Sequence, residues 1–202
     1  MAKLYFRYGT MASGKSTELL QVVFNYKQQN KNVLLWKPKR DKKAEDKVVS
    51  RIGIEAKVDR LLEWYELTED LEKWGKEDFT NVSCLIIDEA QFLTKEQVQY
   101  LWKFSKEKDI PVMCYGLRNN FKGEPFEASA LLMAIADDIK ELKTICSHCD
   151  RKATMNARIV AGQYVRDGEE TVIDGEKLLT KYEPLCGKCY LERVIKKTKN
   201  LF

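Results

Sequence analysis

Residues Gly9 to Ser16 read GTMASGKS, a full fit to G-x-x-x-x-G-K-[ST]. KLYFRYG precedes the fit as a strand-like run, and an amphipathic stretch with Leu19, Val22, Val23 and Tyr26 at three- and four-residue spacing follows it. Such a loop works only where a strand delivers it and a helix leaves it, because its backbone N–H groups and the helix N-terminus must converge on one anion. It therefore commits the chain to an α/β core before any other segment is read. Gly9, Thr10, Met11, Ala12, Ser13, Gly14 and Thr17 belong to the expected phosphate cradle. Lys15 adds a charged donor toward the β and γ phosphates, and the Ser16 hydroxyl suits Mg²⁺.

The same pattern of strand and helix continues. Asn32 to Pro38, Val82 to Glu89 and Ile110 to Leu117 are apolar runs of strand length, as expected for strands covered on both faces of a parallel sheet. Helical spacing occupies Arg60 to Lys73, Lys95 to Lys106 and Glu127 to Ala136. The expectation is a P-loop NTPase-like, mostly parallel sheet flanked by helices over residues 1–141. Residues 142–202 read differently, with short strands at Ala153 to Ala161 and Tyr164 to Ile173 and then a basic helix, and are expected to form a second, smaller domain.

Composition narrows the class. Hydrophobic residues make up 44% and charged residues 33%, which excludes a disordered or collagen-like chain. No apolar run reaches spanning length and the first residues lack a signal-peptide core, so a cytoplasmic location without a membrane partner is expected. The net charge of +4 is too mild to argue for a nucleic-acid partner. The basic tail at Lys196, Lys197 and Lys199 reads as a solvated face.

LIIDE ends an apolar run in Asp88-Glu89, where a Walker-B acid reaches the metal ion from a neighbouring strand. Asp88 is the metal-side carboxylate in this reading. Glu89, one residue on, is placed to act as a base for an incoming hydroxyl or water.

Six cysteines without a secretory signal point away from disulfides. Cys84 and Cys114 sit in apolar runs as small buried hydrophobes. Cys146, Cys149, Cys186 and Cys189 form two C-x-x-C pairs, whose four thiolates suit a structural Zn²⁺ with no open position. The gap between the pairs exceeds the ~15–20 residues of a compact ribbon, so the metal is expected to clamp the base of a long loop. His148, between two ligands, is expected to be a bystander.

GTMASGKST, IIDEAQF, YGLRNNFKGEPF and the paired C-x-x-C knuckles, in this order, resemble the cytosolic (type II) thymidine kinase family along essentially the whole chain. The resemblance implies transfer of the γ-phosphate of ATP to the 5′-hydroxyl of thymidine or deoxyuridine, with Mg²⁺, by a P-loop domain joined to a zinc-held "lasso". It also implies a homotetramer inhibited by dTTP. Glu89 then matches the base, and Gln91 falls with Asp88 on the phosphate and Mg²⁺ side. Met11, Phe92, Leu117, Phe121 and Phe126 match nucleoside contacts, and Asn156 stands where a threonine is often found near the thymine methyl. Val172, Ile173 and Gly175 match the lasso backbone, and Tyr182 matches the family's tyrosine.

The chain departs from the family pattern twice. Its lasso segment IDGEKLLTKYEPLC is about two residues longer between glycine and tyrosine, and Asp41-Lys42-Lys43 replaces the usual D-x-R. The cation that steadies transition-state charge is therefore open between Lys43 and Arg51, and Lys cannot reproduce the bidentate fork of Arg. An alternative class also fits the motifs: a single-domain P-loop ATPase coupled to a zinc nucleic-acid-binding module.

Overall fold

Period-two alternation along the apolar strands sorts their side chains onto two faces, and a helix layer covers each. The computed structural model describes residues 1–39, 46–63, 78–168 and 180–198. Strands β1 (Leu4–Tyr8), β2 (Asn32–Pro38), β5 (Arg60–Leu62), β6 (Val82–Ile87), β7 (Val112–Gly116) and β8 (Asp138–Glu141) form one parallel sheet in the order β5-β2-β6-β7-β1-β8. Val33, Leu35, Cys84, Ile86 and Tyr115 pack with Leu19, Leu20 and Val23 of helix α1 (Lys15–Gln28). From the opposite face, Leu4, Phe6, Trp36, Leu85, Ile87, Val112 and Cys114 meet α2 (Lys95–Glu107) and α3 (Glu127–Ile135).

Burial of these strands on both faces explains why their sequences read as continuous apolar runs. A reciprocal capping box starts α2: Gln97 N–H donates to Thr94 Oγ1 at 3.2 Å, and Thr94 N–H to Gln97 Oε1 at 3.0 Å.

Several elements differ from expectation. Arg60–Leu62 is an edge strand rather than the start of a helix, and residues 64–73 of that expected helix lie outside the described residues. The reason is visible in the packing. Leu62 joins the core on the α2 side and Leu61 packs on the α1 side, a period of two that a short apolar run cannot distinguish from a helix turn. The charged strand β8 at the opposite edge was not expected at all, nor was the hairpin of β3 (Lys47–Val49) and β4 (Glu55–Lys57).

Beyond β8, β9 (Met155–Val160), β10 (Gln163–Val165) and β11 (Thr180–Leu185) form an antiparallel sheet in the order β10-β9-β11. The strand expected over Tyr164 to Ile173 ends at Val165; residues 169–173 lie outside the described residues. Helix α4 (Gly187–Tyr190) follows β11 and runs through a π turn at Leu191–Ile195 into α5 (Lys196–Thr198).

Candidate functional site

The phosphate loop leaves the C-terminal end of β1 and enters α1 through Gly14, whose φ of 81° lies in the left-handed region open to glycine at little cost. Lys15 Nζ donates to Thr10 O at 2.8 Å and more weakly to Gly9 O at 3.4 Å, so the ammonium lies against the loop. Thr10 Oγ1 and Ser13 Oγ are buried without a protein partner. Buried hydroxyls are normally satisfied, and two orphans in an anion-binding loop fit an occupant that offers oxygen atoms.

The ends of β6 and β7 complete this sheet edge, where open α/β folds bind ligands. Asp88 is buried at 5% exposure, and its N–H donates to Trp36 O at 3.0 Å. Glu89 adopts φ 51° and ψ 39° and caps a 3₁₀ turn over Ala90–Phe92. A left-handed conformation costs a non-glycine residue roughly 1–2 kcal/mol, and strain of this kind clusters at functional sites. Gln91 Nε2 donates to Glu89 Oε2, and Gln91 Oε1 accepts the Leu117 N–H at 3.0 Å.

Four of the expected nucleoside contacts come from two loops of this edge. Phe92 and Phe126 meet edge to face with ring centroids 5.9 Å apart. Leu117 follows β7, and its carbonyl accepts the Ser129 hydroxyl at 2.6 Å. Phe121 is buried beneath the Arg158 guanidinium, which stands 3.7 Å from its ring centroid. Asn120 stiffens this loop by accepting the N–H groups of Lys122 and Glu124.

Asn156, buried on β9, accepts the Met11 N–H at 2.8 Å and donates to Asn119 O at 3.0 Å, tying the phosphate loop to the loop after β7. Tyr182 pairs with Arg158 across β11 and β9. Lys43, Val172, Ile173 and Gly175 lie outside the described residues, and Arg51 is exposed in the β3–β4 turn. Arg158 had no place in the sequence reading. Its strand looked like ordinary alternation, and only the fold shows the guanidinium buried between Phe121 and Asp167 O.

The cysteine pairs converge because β9 and β11 are antiparallel. Met155 pairs with Leu185, so the knuckle before β9 and the knuckle after β11 meet at one end of the ladder. The four sulfurs lie within 4.8 Å of one another, with Cys149 to Cys186 at 3.6 Å and Cys189 to Cys149 at 3.8 Å. Four Zn–S bonds of ~2.3 Å in a tetrahedron set neighbouring sulfurs about 3.8 Å apart, so the set fits a structural zinc.

Burial opposes ionisation of Cys146, but N–H groups of Cys186 and His148, together with the Cys149 and Cys189 thiols, outweigh it and bring the thiol down to about 7. His148 directs Nε2 to Tyr164 Oη at 2.8 Å and Glu183 Oε2 at 3.1 Å, consistent with a bystander.

Burial pushes Cys84 up to about 12 and raises Cys114 further. Native protein treated with iodoacetamide should therefore spare Cys84 and Cys114, which have no exposed surface, whereas Cys146, the knuckle thiol that its neighbours lower, should alkylate once a chelator has opened the site. Peptide mapping that finds Cys84 or Cys114 modified while the protein is folded would contradict the burial argument.

A parallel sheet with a G-x-x-x-x-G-K-[ST] loop after one strand and an acidic pair after another defines the P-loop NTPase-like class, here with a cysteine site that could hold a metal. Within that class, the family model described as Thymidine kinase matches residues 2–190. A thymidine kinase of Chromobacterium violaceum is 41% identical over 192 residues, covering 94% of this chain and 98% of the relative. One of Francisella tularensis subsp. holarctica is 42% identical over 198 residues, covering 96% and 99%. One of Legionella pneumophila is 46% identical over 185 residues, covering 88% and 85%. The chain belongs to the thymidine kinase family. Among the described residues no helix is long and apolar enough to cross a membrane.

Proposed function

We propose that the chain is an ATP-dependent thymidine kinase, forming dTMP and ADP from thymidine, with deoxyuridine as a second acceptor. Similarity to named thymidine kinases along nearly all of the chain carries this assignment. The phosphate loop and Lys15 hold the nucleotide. Ser16 and Asp88 would hold Mg²⁺, whose charge offsets that of the phosphates when it is bound with ATP. Glu89 accepts the proton of the 5′-hydroxyl as that oxygen attacks the γ-phosphorus. Phe92, Phe126, Leu117 and Met11 line the base, a dry aromatic wall that excludes water from the transfer.

Residues 1–141 act as the kinase unit and 142–202 as a zinc-held lasso that closes over the nucleoside. A cytoplasmic homotetramer with dTTP feedback completes the proposal.

Incubation with Mg-ATP and thymidine, deoxyuridine or single-stranded DNA, followed by chromatography, tests the activity. Equal amounts of dTMP and ADP with thymidine, and little ADP without it, are expected. ADP formed only with DNA would replace the kinase by the ATPase and zinc-module alternative.

A further inference from the structure

Gln91 is 3% exposed in the turn that follows Asp88-Glu89. Its amide can be oriented in one way only, since the Leu117 N–H requires an acceptor and the Glu89 carboxylate requires a donor. Both ends of the amide are thus engaged within the protein. The backbone of β7 also closes on it. A Cβ at Gly116 would stand 2.8 Å from Gln91 Oε1 and 3.1 Å from Gln91 N, so this approach depends on glycine.

We infer that Gln91 is a positioning residue, which references the Glu89 carboxylate to the backbone at the end of β7. The inference rests on Glu89 being the base. A glutamate at a strand end can swing through several rotamers, whereas a base must lie within hydrogen-bond reach of the hydroxyl it deprotonates. Leu117 begins the loop that carries Phe121 and Phe126. The Gln91 bridge therefore locks the base to the wall proposed to seat the nucleoside. Any drift of one relative to the other would lengthen the proton transfer.

Gln91→Met keeps length and bulk but removes both hydrogen bonds; Gln91→Glu keeps an acceptor for Leu117 N–H and sets a second carboxylate against Glu89. In Gln91→Met, kcat is expected to fall about 10- to 100-fold with the KM for Mg-ATP changed by less than about twofold, and Gln91→Glu should lose more. Affinity for a non-hydrolysable ATP analogue, read by calorimetry, should match wild type.

The decisive comparison repeats Gln91→Met in a Glu89→Gln background, where its effect should largely vanish because the base it positions is gone. A loss of equal size in both backgrounds, as a misfolded variant would give, overturns the proposal. So does an unchanged kcat. Weakened analogue binding also overturns it, returning Gln91 to the phosphate site. Wild-type protein that makes no dTMP would instead sink the kinase reading, a result obtained before any variant is compared.

Discussion

Replacing Glu89 with Gln is expected to lower thymidine turnover by roughly 10²- to 10⁴-fold, the reach of a positioned general base, while Mg-ATP binds as before. The substitution is nearly isosteric and keeps a hydrogen-bonding end group. It therefore removes proton acceptance with little change in shape. Glu89 holds its left-handed backbone at φ 51°, a conformation that aims the side chain and that Gln tolerates as well as Glu does. Stability should be close to wild type, so a loss of rate cannot be assigned to unfolding. Initial rates at saturating thymidine, with nucleotide affinity measured separately, check the prediction. Near-normal turnover would remove Glu89 from the role of base and leave the 5′-hydroxyl to be deprotonated by phosphate or water.

Much of this site was legible because its chemistry is local in sequence. Eight consecutive residues make the phosphate loop, and two adjacent acids end β6, so motif and flanking hydrophobicity were enough to place both. The two C-x-x-C pairs stood out as one candidate metal-binding set for the same reason. How they meet was not, because it depends on the register of β11 against β9. In sequence, TKYEPL carries a proline and few apolar residues, and it forms a strand here because β11 lies at a sheet edge where Pro184 is tolerated.

Edge strands β5 and β8 escaped notice for a related reason. Each is three or four residues long and is held by one neighbour, so tertiary pairing rather than intrinsic pattern decides its state. The contacts of Asn156 and Arg158 were equally hidden. A buried polar side chain declares its role only through partners distant in the chain, and here those are Met11, Asn119 and Phe121.

Cys186→Ser is expected to strip the metal and to raise the nucleoside KM while nucleotide binding survives. Structural zinc sites contribute about 10–16 kcal/mol of apparent binding energy at neutral pH, and that energy is folding energy for the unit that holds the ion. Replacing an outer-shell partner alone costs about 10- to 100-fold in metal affinity, and loss of a thiolate ligand should exceed that. Among the described residues the core beside the knuckles is small: Ala157, Leu185, Tyr190, Val194, Ile195 and the cysteines themselves, with Met155 and Tyr164 packed against them.

The effect should travel toward the nucleoside by a defined route. Tyr190, one residue after Cys189, donates its hydroxyl to Phe121 O at 2.6 Å, in the loop that carries the proposed base contacts. Loosening α4 therefore frees that loop, whereas the phosphate loop, although its Met11 N–H reaches Asn156 on β9, keeps Lys15 bonded to Thr10 O between β1 and α1 of the main core. Elemental analysis should find one zinc per wild-type chain and far less in the variant, whose nucleoside KM should rise on the order of tenfold with an early-melting transition. Cys84→Ala is the control, since Cys84 is fully buried in the sheet and touches no knuckle; it should retain zinc. Wild-type protein without zinc, or a Cys186→Ser variant with unchanged KM, would show that the four thiols do not organise this side of the site.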